Sequence, residues 1–149
     1  MRLPLPRQHD DRGTALVELT WLGILLLVPL IYILLSVFEV QRGAFAVSAA
    51  ARGAGRAFAL AESEERGRAD AVAVARLAFA DQGLPDSPIE LVVRCTPDPA
   101  NCHSGGSTIR VSVRSRVDLP LLPDVLGGGT PSFRLDATHV VPFGQFQED

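Results

Sequence analysis

Hydrophobic positions along the chain run first at a helical period and then, from Ile89, at a period of two. From Leu19 to Phe38 no residue carries a charge, and about 20 such residues at a helical rise of about 1.5 Å cover the roughly 30 Å hydrocarbon core of a bilayer. One membrane-spanning helix is expected there. Pro29 falls mid-run and removes a backbone donor, which predicts a kink; membrane helices tolerate it. Beyond Phe38 the pattern stays helical but the residues shrink. Val47, Ala51, Ala54 and Phe58 recur at i, i+4, i+7 and i+11 on one narrow face, with Arg42, Arg52 and Arg56 opposite. Small side chains permit close backbone approach, so this face is built to pack on another helix of its own chain or of a neighbour.

A second helix is announced by Ser63 as a cap, with Glu64 and Glu65 in the first turn, where the helix dipole favours acids. Its stripe is Ala71, Val74, Ala75, Ala78 and Phe79, and it stops at Gly83 ahead of Pro85. Arg66, Arg68 and Asp70 read as a solvated face. From Ile89 the period becomes two. Ile89, Leu91, Val93 and Cys95 share one face of a strand. Ile109, Val111, Val113 and Val117 alternate with Arg110, Ser112, Arg114 and Arg116 in a second, and Phe133, Leu135, Ala137 and Val141 mark a third. A half-apolar sheet needs a cover, for which the second helix is available. The expected fold class is α+β: a long N-terminal transmembrane helix continuing into an Ala-rich stalk, a second amphipathic helix, and a small antiparallel sheet of three or four strands.

The expected divisions are a leader at 1–13, a transmembrane and stalk helix at 14–61, an extracytoplasmic α+β domain at 62–143 and a tail at 144–149. Met1 to Gly13 is too short to fold; Arg2, Arg7 and Arg12 stand there against Asp10 and Asp11. Basic residues flanking a first span tend to stay cytoplasmic, which places the N-terminus inside and the domain outside. Arg42, Arg52 and Arg56 pull the other way. A formal net charge of −3 and a pI of 5.6 provide no basic field, so no nucleic-acid partner is implied. Every basic side chain is Arg.

Cys95 and Cys102 enclose TPDPAN. In an exported domain, two cysteines at that spacing are expected to form a disulfide closing the hairpin of the first two strands; the competing reading takes Cys95, Cys102 and His103 as metal ligands, without a CxxC pair or a second cluster to support it. His139 lies on the apolar register of its strand and reads as a structural histidine. No nucleophile stands beside a base, and Gly127-Gly128-Gly129 precedes Thr130-Pro131 and not a helix, so it matches no phosphate loop. No enzyme activity, cofactor or metal is expected. Leu119, Leu121, Leu122, Val125 and Leu126 gather between prolines, as core or as a membrane- or partner-facing patch.

The word RGTALVEL bears most directly on function. A short leader ending in Gly13, then an apolar stretch broken only by Glu18 at the fifth place after it, resembles the processing site of type IV prepilins. The resemblance implies a cut by the prepilin peptidase after Gly13, a mature N-terminus at Thr14, and pairing of Glu18 with the new amine of a neighbouring subunit during assembly. Glycine suits such a cut because a backbone without Cβ enters a narrow cleft. A plain signal anchor with Glu18 at the headgroups is the simpler reading, and Ala44-Phe45-Ala46 has the form of a secretory cleavage site. With ARGAGRA, the Cys pair and a closing strand ending in HVVPF, the whole order of elements resembles the TadE-like minor pilins, or pseudopilins, of the tight-adherence (Flp) branch of bacterial type IV pilus systems. That family implies a structural subunit in the cell membrane, with other pilins and the assembly platform as partners. The competing class is a single-pass binding module that enters no fibre.

Overall fold

A computed structural model describes the backbone of residues 12–119 and 132–144, with side chains from Ala15 onward in those ranges. The acids and arginines of the leader before Arg12, the cluster from Leu121 to Leu126, the triple glycine and the end of the tail lie outside the described residues. The element order is α1 (Arg12–Leu60), α2 (Glu64–Asp81), β1 (Ile89–Thr96), β2 (Thr108–Asp118) and β3 (Ser132–Pro142). The architecture is α+β, as the change of period predicts. Contacts divide the chain into two units, Met1–Leu35 and Ser36–Asp149.

In the first unit α1 runs as a helix across Pro29, and its side chains are exposed almost throughout. Thr20 uses its hydroxyl locally, donating to the Leu16 carbonyl at 2.8 Å, which removes a polar group from an otherwise apolar surface.

The second unit is built on a three-stranded antiparallel sheet in the order β1-β2-β3. Register follows the alternation: Leu91 stands opposite Val113, and Val113 opposite Ala137. Sliding any strand by one residue would turn its apolar set to solvent. Ile109, Val111 and Val113 on the central strand are fully buried, and Val117 nearly so. The side facing them is covered first by the latter part of α1, whose Ala46, Val47, Ala50, Ala51, Ala54 and Phe58 are all buried. Residues expected as a stalk therefore form the core of the domain, and the small-residue face packs on its own sheet. The sequence assigned that cover to α2; the structure places α2 beside α1, with Val74 against Gly53 and further contacts to β1. The physical reason is reach. A Cβ on Gly43 would crowd Val117 and Leu135, and one on Gly55 would stand 3.1 Å from Val141 Cγ2, so glycine at these two places lets the α1 backbone settle close on the strands.

The ends of α2 match the pattern. Ser63 Oγ accepts from the Arg66 N–H, and Gly83, at φ +73°, closes the helix with its N–H on the Ala80 carbonyl and the Leu84 N–H on that of Phe79. That pairing is a Schellman cap, and a left-handed residue is what it requires.

Candidate functional site

The most distinctive chemistry lies in α1. Among the described residues there is one helix long and apolar enough to cross a membrane; its most apolar 18-residue window has mean hydropathy 2.6 and none of it is buried in the molecule. A core helix of a soluble protein would hide that window. Leu22, Ile24, Leu25, Leu26, Leu30 and Ile33 are each at least half exposed, which is far more contiguous apolar surface than water tolerates. The surroundings that satisfy it are lipid or other apolar helices.

Glu18 sits on this helix one residue before the uncharged run, exposed, and among the described residues no cation pairs with it. Gly13 and Thr14 lie in the first turn of α1; their side chains are outside the described residues. The first four N–H groups of a helix have no partner within it, so this turn is the one that unwinds at least cost. Ala44-Phe45-Ala46, the alternative cleavage site, lies within the packed half of α1. Ala46 is fully buried, and a Cβ on Gly43 would lie 2.6 Å from Val117 Cγ2. A cut there would strip the domain of residues that its sheet packs on.

Cys95 and Cys102 are joined as a disulfide, so neither sulfur is a thiolate that could hold a metal. The bridge ties the end of β1 to the loop that follows it and does not span the two strands. His103 is occupied as well. Its Nε2 lies 3.0 Å from the Phe58 carbonyl oxygen at the end of α1, and its ring stands between Phe58 and Phe143, 5.2 and 4.9 Å away. Cys102 N–H donates to Glu64 at the start of α2, at 2.6 Å. Loop, bridge and histidine thus fasten the corner between the helices. His139, half-buried on β3, lies against Gly55 of α1.

A second feature lies on the uncovered face of the sheet. A cavity of about 710 Å³ opens there, lined by Glu90, Arg114, Asp136, Arg116 and Arg134 with Ser115 among them. Register explains its walls. Glu90, Arg114 and Asp136 form one cross-strand row and Arg116 and Arg134 another, with the row of Ile89, Ser115 and Leu135 between them in register. Arg114 reaches Glu90 at 3.7 Å. Arg116 and Arg134 stand directly opposite each other, and among the described residues neither pairs with a carboxylate. The alternation of β2 places its arginines on one face, but their neighbours on β1 and β3 emerge only from the pairing.

Compared with known proteins, the chain matches no family model, no curated protein and no solved structure.

Proposed function

We propose that this chain is a structural subunit of the TadE-like minor pilin kind, inserted with its N-terminus inside, cut after Gly13, and assembled through α1. The observation that carries the reading is the joining, in a single helix, of a fully exposed apolar window with the buried face of a disulfide-closed domain. Such a helix serves at once as anchor and as core, and a spacing of Gly13 to Glu18 at its head fits processing followed by charge pairing. Glu18 is costly near the apolar phase unless paired. Assembly supplies that partner when the amine of Thr14 in a neighbouring subunit approaches it.

The test is the mature N-terminus. In cells carrying the peptidase, intact-mass measurement of membrane-extracted protein should find a chain beginning at Thr14, and Gly13→Leu should abolish the cut. A chain beginning at Met1 would overturn the reading in favour of an anchored binding module, and one beginning at Val47 in favour of a secreted protein. Glu18→Ala should still be cut and inserted but should fail to enter fibres.

A further inference from the structure

Two pairs of arginines stand directly opposite each other on the uncovered face of the sheet, Arg116 across from Arg134 and Arg94 across from Arg110. Their neighbours differ. Because alternate residues of a strand share a face, Asp118 flanks the first pair on one side and the row of Glu90 and Asp136 flanks it on the other. The second pair has no such flank. Its own row is completed by Val140, the row on one side is Val92, Ser112 and Thr138, and the row on the other is Thr96, Thr108 and Pro142. Glu90 and Asp136 are four residues away along their strands, or about 13 Å, which exceeds the Debye length at physiological salt. Glu90 is held by Arg114 at 3.7 Å. In the loop past Thr96, Asp98 accepts the Ala100 N–H at 2.9 Å. Arg94 and Arg110 are both exposed, and among the described residues neither pairs with a carboxylate.

Like charges directly opposite each other destabilise a sheet, so this pair is at its best with an anion between its members. Opposed side chains leave their strands about 5 Å apart at Cβ, and two planar guanidinium forks at that separation can converge on the oxygens of one group. Charge then selects the group. A carboxylate or a phosphodiester carries one negative charge, whereas a phosphate monoester carries about −1.5 to −2 near neutral pH and offers three acceptor oxygens. It matches the pair's two positive charges. Thr96 and Thr108, in the adjoining row, add hydroxyl donors, while Ser112 and Thr138 on the other side are bonded to each other at 3.0 Å. These three rows hold no aromatic side chain, so they lack the stacking surface on which single-stranded nucleic acid is held.

We propose that Arg94 and Arg110, with Thr96 and Thr108, form a binding site for the phosphate monoester group of a small soluble ligand. The inference rests on the face of the sheet alone and depends neither on the span nor on the pilin reading.

The experiment uses the full chain in a neutral, phosphorus-free detergent at low ionic strength, and follows the phosphorus NMR line width of glycerol 3-phosphate, a monoester, and of dimethyl phosphate, a diester. The wild type should broaden the monoester saturably, with a Kd on the order of 1 mM, and should bind the diester about tenfold more weakly. R94Q/R110Q should lose the monoester, and R116Q/R134Q, at the other end of the same face, should keep it. R94K/R110K, which keeps the charge without the planar forks, should fall between. Because the glutamine pair removes a repulsion, R94Q/R110Q should melt no lower than the wild type, which separates loss of the site from loss of the fold. A lower melting temperature would overturn the like-charge pairing on which the site rests. Equal affinity for monoester and diester would overturn the proposal, as would equal loss in the two glutamine pairs. So would tighter binding of an oligoglutamate peptide than of the monoester. An uncut N-terminus, by contrast, would overturn only the pilin reading.

Discussion

Gly43 and Gly23 show how the same residue serves two purposes within one helix. A Cβ on Gly23 would meet nothing within 4 Å, while on Gly43 it would crowd Leu135 Cδ1 and stand 2.6 Å from Val117 Cγ2. Val117 is buried and β-branched, with little rotamer freedom to yield. Gly43→Ala should therefore destabilise the domain by about 1–2 kcal/mol, overpacking outweighing a helix-propensity gain of about 1 kcal/mol. Gly23→Ala should leave its melting temperature unchanged. Thermal unfolding of the two full-length variants in detergent checks this, and equal melting temperatures would refute the close contact. In the sequence Gly43, Gly53 and Gly55 register only as weak helix formers, because nothing local records what lies across from them.

At the scale of elements, the corner between α1 and α2 depends on a loop remote from both in sequence. The loop of Cys95 to Cys102 is short, and its closure contributes about 2.5 kcal/mol by chain entropy. Reduction, or Cys95→Ser with Cys102→Ser, should lower the melting temperature by about 10 °C in a domain of this size, whereas a chelator should have no effect. Glu64→Ala should separately cost about 1–2 kcal/mol by leaving the buried Cys102 N–H without its acceptor. Because both changes loosen the same loop, they should add to less than their sum in a double-mutant cycle. Full additivity would mean that bridge and carboxylate act independently. The spacing of the cysteines makes the bridge legible in the sequence. The grip of His103 and Glu64 on the helix ends is not, since those partners are 45 and 38 residues apart.

At the scale of the molecule, the boundary at Ser36 separates what needs an apolar environment from what carries its own core. A chain beginning at Ser36 should be soluble, form its disulfide and unfold cooperatively. One beginning at Val47, lacking Gly43 and the buried Ala46, should melt several degrees lower. Circular dichroism melts of both truncations decide the matter, and indistinguishable curves would deny the start of the packed helix a part in the core. The full chain should resist alkaline extraction from membranes.

The sequence by itself determines the span, the two helices, the strands, the cap at Ser63 and the cysteine loop, because each is written in the period or spacing of neighbouring residues. Hydrophobic period reports which side of an element is apolar, and it does so without reference to any other element. It cannot report what that side meets. That α1 and not α2 takes most of the sheet, that Gly43 and Gly55 admit it, that His103 closes the end of α1, and that Arg116 lies opposite Arg134 are decisions of the tertiary structure. All depend on strand register and on how closely two backbones approach, and these are settled only when segments distant along the chain compete for the same buried surface.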